Sequence, residues 1–539
     1  MIQSIWRCAA AMTAFAIVLI SIGGSAEAQR QRSPLRVFEK VTRSGEAEAD
    51  DSVVLRRNYV RSGLAGVMGE DTLILDLFDD LSLVAQRNVV RQKWEGPRSW
   101  VGKVPNEPNS EVSLIERDGV VAGTIRLGTR TFKIRNAGRG LHAIEEVDGS
   151  KFAQCATGSA HKITVAADTP GNVSPSAGTA DLPEGVPTVD VLVVYTAAAR
   201  AAAGGEASIL ATIDLAVLET NQAYANSGIN YQLALVKAAE VNYAEVPSFS
   251  TMLSSLRNQG DGVLDEVHGL RDMYGADLVS MIVGGSQYCG LGYLMSNPGA
   301  GFQSYAFSVV ARGCATGYYS FAHELGHNLG CQHDRDHAGT GAYSYSFGHR
   351  APDSSWRTVM AYAPGPRVGH FSNPAVMLNG ISTGVVNTSA GGADNAMTIN
   401  TTAPIVAQFR DSPVYSFGQG KLTSQGEFAG LGWTGTTAVQ QNEFGVELGN
   451  AIPEAFGILL RGHTYSPHPF HGGTLFFAPP FRRMGRMRAD LDGASFKSLD
   501  ISGAQPGATD YYQVVFRDAF ASDGTGIGLS NSLKVTYLP

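Results

Sequence analysis

Eleven residues near the middle of the chain constrain its fold and chemistry more than any other segment. They read His323-Glu324-Leu-Gly-His327-Asn-Leu-Gly330-Cys-Gln-His333. Residues four apart lie on one face of an α-helix, so His323 and His327 can bind the same metal ion. Gly330 favours the positive φ that ends a helix, after which the chain can bring His333 back as a third ligand. The spacing therefore predicts a zinc helix with three protein ligands and an open fourth position, which is typical of a catalytic zinc site.

Glu324 gives this segment its catalytic character. Its carboxylate projects at an angle next to His323, from which it can accept a proton from a metal-bound water. The shorter pattern His-Glu-x-x-His also occurs in ordinary helices that carry two surface histidines. The complete spacing favours zinc, because each further fixed position makes a chance match rarer. We therefore predict Zn²⁺ as the cofactor, with His323, His327 and His333 as ligands and Glu324 as the general base.

The extended motif resembles that of the metzincin zinc endopeptidases. Asp334, directly after the third histidine, is similar to the residue found there in the reprolysin/ADAM branch. Metzincins also place a methionine turn beneath the metal, and the matching segment here is Arg357-Thr-Val-Met360-Ala-Tyr362. The resemblance implies that Met360 packs under the ligands without binding the ion. It also implies an α/β (α+β) catalytic domain with a mixed sheet and a zinc helix.

Two residues beyond this methionine, Tyr362 departs from the reprolysin pattern. Met-x-Tyr is similar to the turns of astacins and serralysins, in which the tyrosine lies near zinc. That resemblance implies that the Tyr362 hydroxyl donates a hydrogen bond to the developing oxyanion, and a buried structural tyrosine is the alternative. Phe371-Ser-Asn-Pro374 resembles the reprolysin segment that forms a wall near the primed-side pocket, with a simple strand-ending turn as the alternative.

The composition is that of a soluble multidomain chain without a surface for nucleic acid. The chain has 539 residues, of which 44% are hydrophobic and 17% charged, and this length favours three domains. Its net charge is −8 at pH 7 and its pI is about 5.9. Such an acidic chain lacks the basic surface with which proteins bind nucleic acid or anionic membranes.

The N-terminus is typical of a secretory signal peptide. Arg7 supplies a positive charge, residues 9–22 form a short apolar core, and Ala26-Glu-Ala28 matches a cleavage site. Residues 1–28 are therefore predicted to be removed on export, with an uncleaved anchor as the alternative. No later segment approaches about 18 uninterrupted apolar residues. This predicts no membrane span after signal removal and a secreted, extracellular protein.

The rest of the chain divides by composition. Residues 29–165 alternate short β-like runs with turns, and segments such as Trp100-Val-Gly-Lys103 resemble the propeptide of reprolysin-type precursors. Residues 166–187 are rich in Pro, Gly, Ser and Thr, which is typical of an exposed linker, and we expect activation cleavage there. Residues 188–412 form the predicted catalytic domain. Residues 413–539 change to Gly-rich, aromatic and β-branched runs that predict a β-sandwich.

Strand-like and helix-like runs alternate within the catalytic domain, which predicts an α/β sheet ahead of the zinc helix. Strands are predicted at 189–195, 229–236 and 276–283, and helices at 209–224 and 261–274. The resemblance to reprolysin-like enzymes further implies that residues 290–295 form an edge strand above the cleft. An extended peptide can add to such an edge as another strand.

Four cysteines remain once Cys8 is removed with the signal peptide. Cys289 and Cys314 flank a Gly/Ser-rich stretch before the zinc helix and are the predicted disulfide, although four cysteines allow three pairings. Cys331 fits a small buried hydrophobe. Cys155, at the end of the predicted propeptide, is a candidate cysteine switch, because a thiolate binds zinc strongly and would block the open position. A disulfide or an inert thiol is the alternative for Cys155.

These features favour a secreted zinc endopeptidase that is made as a latent precursor and acts on protein or peptide substrates. Glu324 and Tyr362 are its predicted catalytic residues. A zinc-binding adhesion or binding protein without turnover is the main alternative, and a metallohydrolase of non-peptide bonds is another. The predicted β-sandwich is a candidate for binding a cell-envelope or matrix ligand, and no nucleic-acid partner is expected. The remaining histidines are interpreted as solvated or hydrogen-bonded.

Overall fold

The computed structural model describes most of the chain. The described residues are 35–41, 52–68, 70–87, 98–107, 109–155, 187–285, 288–442, 444–491 and 493–539. The predicted signal peptide, residues 1–28, lies outside them. So does the predicted linker 166–187, except for Pro187 at its end.

The N-terminal region folds into a single ten-stranded sheet. Its strands are β1 (Leu35–Arg36), β2 (Phe38–Lys40), β3 (Val54–Ser62), β4 (Thr72–Phe78), β5 (Leu81–Arg87), β6 (Arg98–Lys103), β7 (Glu111–Arg117), β8 (Val120–Leu127), β9 (Arg130–Gly138) and β10 (Leu141–Val147). The order in the sheet is β1-β4-β5-β6-β7-β8-β9-β10-β3-β2. The alternating β-like runs therefore correspond to strands: β4 to β10 follow one another in antiparallel order, whereas β1 pairs parallel with β4.

Tight turns and an apolar face explain why this meander forms. Between β7 and β8 the turn residues Asp118 and Gly119 have φ angles of 50° and 79°, as a two-residue hairpin turn requires. Buried side chains on the strands, among them Leu114, Ile125 and Phe132, build a core separate from that of the central region. The burial of these apolar groups stabilises the sheet.

The central region combines helices with a mixed sheet. Its strands are β11 (Thr188–Thr196), β12 (Gln232–Val241), β13 (Leu278–Val283), β14 (Gly290–Gly292), β15 (Phe307–Ala311), β16 (Gln332–Asp334), β17 (Phe347–Gly348), β18 (Met377–Leu378) and β19 (Ile381–Ser382). Its helices are α1 (Ala197–Ala203), α2 (Glu206–Asn226), α3 (Phe249–Arg257), α4 (Asp265–Met273), α5 (Arg312–Ala315), α6 (Ser320–Asn328) and α7 (Asn395–Val406).

Five strands of this region form the central sheet, in the order β12-β11-β13-β15-β14. The first four strands are parallel, and β14 pairs antiparallel with β15 at the edge. β11 is almost wholly buried, as expected for an inner strand covered on both faces. The predicted mixed α/β architecture is confirmed, and β14 is the edge strand expected within 290–295.

All five predicted elements are present with shifted bounds, and for two of them the loops explain a later start. The strand expected at 229–236 begins instead at Gln232, because α2 continues to Asn226 and Gly228 then turns the chain with a φ of 68°. The helix expected at 261–274 begins only at Asp265. In the loop before this helix, Gly262 has a φ of 83°, and its amide donates to the carboxylate of Asp265. In both cases loop residues occupy part of the predicted element.

The C-terminal region consists of β-strands. They are β20 (Val414–Phe417), β21 (Gly430–Thr434), β22 (Gly445–Gly449), β23 (Phe456–Gly462), β24 (Tyr465–Phe470), β25 (Gly473–Phe477), β26 (Arg482–Arg488), β27 (Ser495–Ser498), β28 (Thr509–Arg517) and β29 (Ile527–Thr536). They form sheets of five, three and two strands. Val446 and Leu448 of the three-stranded sheet share a core with Val514 and Leu533 of the five-stranded sheet.

Among the described residues, no single helix has the length and apolar character needed to cross a membrane. The pair α1 and α2, which is bent by 93°, passes that test together on length and composition alone.

Candidate active site

Helix α6 presents the first two histidines of the motif. Every residue of α6 is buried, so His323, Glu324 and His327 lie inside the protein. Gly330 then adopts a φ of 86°, and a Cβ there would lie 2.8 Å from the Cβ of Ala342. A larger residue would be both strained and obstructed at this position. The chain consequently turns into β16, which carries His333 back toward the helix.

The three predicted ligands meet as the spacing requires. His333 Nε2 lies 3.2 Å from His323 Nε2 and 3.1 Å from His327 Nε2. The outer nitrogens face carbonyl oxygens, with His323 Nδ1 2.8 Å from Val359 O and His327 Nδ1 2.8 Å from Cys331 O. These contacts favour a proton on Nδ1, which leaves the Nε2 lone pairs available for a metal. Burial lowers the pKa of His327 to about 4 and lowers the pKa values of the other two, so the neutral imidazoles are favoured.

The Glu324 side chain lies against two glycines of the edge strand β14. A Cβ at Gly290 would come within 2.4 Å of Glu324 Oε1, and one at Gly292 within 2.9 Å of the Glu324 carbonyl oxygen. Only glycine allows the strand to pass this close to the helix. The edge strand and the predicted general base are therefore neighbours, as a peptide-binding cleft requires.

Met360 packs beneath the helix, as the resemblance implied. It is fully buried, and its sulfur would lie 2.7 Å from a Cβ placed at Gly326 of α6. Phe371 also approaches Gly326, with its ring 3.2 Å from that position. Met360 and Phe371 thus support the ligand helix through apolar contacts.

Asp334 connects the ligand loop to the methionine turn. Its Oδ2 accepts a hydrogen bond from the Tyr362 amide at 2.8 Å, and its Oδ1 lies 2.8 Å from His337 Nδ1. In the sequence, Asp334 indicated only the family branch. The structure shows that it positions Tyr362, whose ring lies 4.1 Å from that of His333 between centroids.

Cys155, from the segment after the N-terminal sheet, lies inside the histidine cluster. Its Sγ is 3.8 Å from His327 Nε2 and 3.4 Å from a carboxylate oxygen of Glu324. The Tyr362 hydroxyl donates to the Cys155 carbonyl oxygen at 2.7 Å. The ligand atoms of Cys155 and the three histidines all lie within 4.8 Å of one another. The structure therefore brings the two predicted catalytic residues, the three predicted ligands and Cys155 together.

The other cysteines follow the predictions made for them. Cys289 and Cys314 form the predicted disulfide. Cys331 is a buried thiol outside any disulfide, as a small hydrophobe would be. Cys155 is not part of the Cys289–Cys314 disulfide, and its thiol lies among the three histidines instead.

A second group of buried side chains lies beside the cluster, and sequence reasoning missed it. Tyr318, just before α6, lies under the guanidinium of Arg367 at 4.3 Å from the ring centroid. Arg357 Nη2 donates to the Tyr318 hydroxyl at 3.0 Å, and Arg367 Nη1 donates to the Tyr318 carbonyl at 2.9 Å. The available signal was the pair of arginines that flank a turn expected beneath a metal site.

Comparisons with known proteins follow the same segments. The family model described as metallo-peptidase family M12 matches residues 187–372. A peptidyl-Asp metalloendopeptidase of Stenotrophomonas maltophilia (strain R551-3) is 35% identical over 313 residues, which is 57% of this chain and 72% of that protein. The chain belongs to metallopeptidase family M12. The predicted family resemblance to zinc endopeptidases and the predicted enzyme class, a zinc metalloendopeptidase, are confirmed.

Further relatives of this M12 member carry the same description. A peptidyl-Asp metalloendopeptidase of Xanthomonas campestris pv. campestris (strain ATCC 33913) is 35% identical over 310 residues, 56% of this chain and 71% of that protein. The solved metalloproteinase-II from Bacteroides fragilis is 12% identical, covers 51% of this chain and 86% of its own, and has a TM-score of 0.28. That structural overlap is too low to support an argument. M12 peptidases depend on a metal, and the buried histidine cluster is the group suited to hold one.

Proposed function

We propose that this M12 peptidase is a secreted zinc endopeptidase made as a latent precursor. The observation that carries the proposal is the position of Cys155, whose sulfur lies in one ligand cluster with His323, His327 and His333. A cluster that holds three imidazoles and one thiol is complete, whereas a hydrolase needs its fourth position open to water. Cys155 comes from the region that the sequence predicts to be a propeptide, and its departure would open that position.

Zinc is the metal that these donors fit best. Three imidazoles and one thiolate are typical zinc ligands. In a tetrahedral site with Zn–N bonds of about 2.05 Å, neighbouring nitrogens lie about 3.3 Å apart. The observed Nε2 separations of 3.1 and 3.2 Å are close to that value. When bound, zinc would polarise the substrate carbonyl and lower the pKa of a water molecule.

The protein's own groups would then move the proton and stabilise charge. The Glu324 carboxylate is placed to accept a proton from the attacking water and to deliver it to the leaving amine. The Tyr362 hydroxyl already donates to one peptide carbonyl, that of Cys155. With a substrate in place of Cys155, the same hydroxyl would donate to the oxygen on which negative charge develops. Tyr362 then acts as an oxyanion donor rather than as a purely structural tyrosine.

Each predicted region of the chain has its own role in the proposed maturation and activity of the enzyme. Residues 1–28 direct export, residues 29–165 act as the propeptide, and cleavage within 166–187 releases it. Residues 188–412 carry the catalysis. Residues 413–539 form a β-sandwich module that binds a cell-envelope or matrix ligand outside the cell. A binding protein without turnover is not favoured, because the relatives are endopeptidases.

The relatives also suggest which substrates the enzyme cleaves. They are named peptidyl-Asp metalloendopeptidases, and the matched segments cover more than two thirds of the length of the S. maltophilia and X. campestris proteins, at 72% and 71%. We therefore propose protein and peptide substrates that carry an aspartate next to the scissile bond.

Two substitutions in the full-length chain test this function. Cys155→Ser should give a precursor that digests casein before any cleavage of the chain, because serine binds zinc far less well than a thiolate. Glu324→Gln should retain about one zinc per chain and lose activity by about 10²- to 10⁴-fold. A zinc chelator should abolish digestion by the Cys155→Ser protein. Unchanged latency of Cys155→Ser, or full activity of Glu324→Gln, would contradict the proposal.

A further inference from the structure

Within the part of the chain that the structure describes, the two buried arginines beside Tyr318 form no salt bridge with a carboxylate. Arg357 and Arg367 are 3% and 4% exposed, and neither forms an ion pair among the described residues. The Nε atom of each is enclosed and has no hydrogen-bond partner in the same part of the chain. Removing a guanidinium from water is costly unless a counter-charge or hydrogen bonds replace the lost hydration.

Another buried arginine shows what a purely structural role looks like in this protein. Arg271, 1% exposed, donates from Nε, Nη1 and Nη2 to the carbonyl oxygens of Ala276, Gln303 and Asp277. Every nitrogen of that guanidinium thus has an acceptor. Arg357 and Arg367 retain donor capacity that the fold does not use, as the binding of an anionic ligand requires.

The location of these arginines ties them to the cleft. Phe152 stacks on Tyr318 with 4.6 Å between ring centroids, only three residues before Cys155. The segment that covers the histidine cluster therefore also covers the aromatic ring on which Arg367 lies. Its departure would uncover both places together.

We infer that Arg367, supported by Arg357, binds the carboxylate of an acidic substrate residue next to the scissile bond after residues 152–155 leave the cleft. This inference rests on the proposed function and names its specificity-determining residues. A planar guanidinium binds a carboxylate through paired hydrogen bonds, and burial strengthens them. A neutral asparagine of the same shape would leave the buried cation without its counter-charge, so the site rejects it.

The experiment compares matched peptides. The enzyme is produced from the full-length chain and activated by its own processing or by limited trypsin digestion. Peptides identical except for Asp, Asn or Ala on either side of one bond are cleaved, and the Asp-to-Asn ratio of kcat/KM is measured. We expect a ratio well above one for the wild type, and its value on each side of the bond locates the acidic residue.

Arg367→Met should lower this ratio by about 10- to 100-fold, as expected for the loss of a charged hydrogen-bonded contact. Arg367→Lys should keep part of the preference, because it retains the charge without the fork geometry. Arg357→Met should lower the ratio to a smaller extent. Arg271→Met is the matched control: it removes an equally buried arginine away from the cleft and should leave the ratio unchanged.

The ratio does not depend on the concentration of active enzyme, so partial misfolding of a variant does not obscure it. If Arg367→Met cleaves Asp and Asn peptides in the wild-type ratio, the inference is wrong while the proposed function stands. A wild type that cleaves without regard to Asp also overturns it. If the activated wild type cleaves no peptide, the proposed function itself fails.

Discussion

The N-terminal and C-terminal sheets both pack on the central region, but they contact it in different ways. The N-terminal sheet inserts charged groups: Arg126 Nη1 donates to the Arg367 carbonyl at 2.7 Å, and its other terminal nitrogen donates to the Gly317 carbonyl. The C-terminal region makes contacts such as Gln441 Nε2 to Met273 Sδ at 3.0 Å. Within the described residues, that contact involves neither the histidine cluster nor Tyr318.

Under the proposed function, the boundary of the N-terminal sheet is the one that controls latency. A buried charge across a boundary must recover its lost hydration through specific hydrogen bonds, so single substitutions and pH act on it strongly. Arg126 also lies over the ring of Tyr319, 4.5 Å from its centroid, next to the start of α6. The N-terminal sheet therefore holds the backbone on both sides of the Tyr318 group, and its release would change the cleft.

The largest expected effect on stability follows from removing the Arg126 guanidinium. Arg126→Met leaves the carbonyls of Gly317 and Arg367 without their donor and should destabilise the precursor by about 3 kcal/mol. We also expect partial loss of latency. Urea unfolding and a casein assay on the full-length chain measure the two effects.

Arg488→Met is the matched control in the C-terminal region. Arg488 pairs with Glu454 at 3.0 Å, and both side chains are 60% exposed. Exposed pairs contribute less than about 1 kcal/mol, so this change should be nearly silent. Equal losses of stability in the two variants would mean that the buried hydrogen bonds of Arg126 contribute no more than an exposed ion pair.

A buried carboxyl near the same boundary should make the stability of the protein depend on pH. Glu219 of α2 is fully enclosed, its oxygens accept from the Gly317 amide at 2.8 and 3.1 Å, and burial raises its pKa from 4.5 to about 7. A carboxyl whose pKa is raised on folding binds its proton more tightly in the folded state. Its contribution to stability is complete below about pH 4.5 and is lost as the pH rises toward 7.

Glu219→Gln should therefore flatten part of the pH dependence. Between pH 5 and 7.5 the free energy of unfolding of the wild-type precursor should fall by about 2 kcal/mol more than that of the variant. Thermal unfolding across this range measures the difference. Glu454→Gln, at the exposed C-terminal position, should track the wild type. A wild-type precursor that gains stability over this range relative to Glu219→Gln would show that the sign is wrong.

The sequence predicted the histidine cluster better than the contacts that the N-terminal region makes with it. The ligands His323, His327 and His333, the disulfide and the packing of Met360 followed from local spacing or from the family resemblance. Local spacing works for these because helix periodicity places residues four apart on one face. Cys155 was predicted only as one of three alternatives, since its place depends on how residues 169 positions apart come together.

The group formed by Tyr318, Arg357 and Arg367, with its contact to Arg126, could not be predicted for the same reason. Arg126 and Arg367 are 241 positions apart in the chain, and no periodicity relates them. Their contact depends on how the N-terminal sheet docks on α2 and on the loop before α6. Such docking is decided by the summed burial of many side chains rather than by any local pattern. In the C-terminal region, by contrast, the composition and the short turn-separated runs predicted β-strands but not their order.

The smallest effect should come from a tyrosine hydroxyl in the C-terminal core. Tyr537 Oη donates to Asp510 Oδ2 at 2.8 Å and lies 2.6 Å from Tyr512 Oη. Tyr537→Phe should lower the free energy of unfolding by about 1 kcal/mol, the contribution of one buried hydrogen bond. Peptidase activity should not change, because these contacts lie within the C-terminal region.

Tyr362→Phe makes the same chemical change in the cleft and should have the reverse pattern. It removes the hydroxyl that donates to the Cys155 carbonyl and that, in the activated enzyme, would donate to the developing oxyanion. The kcat of the activated enzyme should therefore fall by about 10²-fold or more. KM should change little, because the donor acts mainly on charge that develops in the transition state. If Tyr537→Phe lowered activity as much as Tyr362→Phe, the C-terminal sheets would be coupled to the cleft, and the contrast between the two boundaries would not hold.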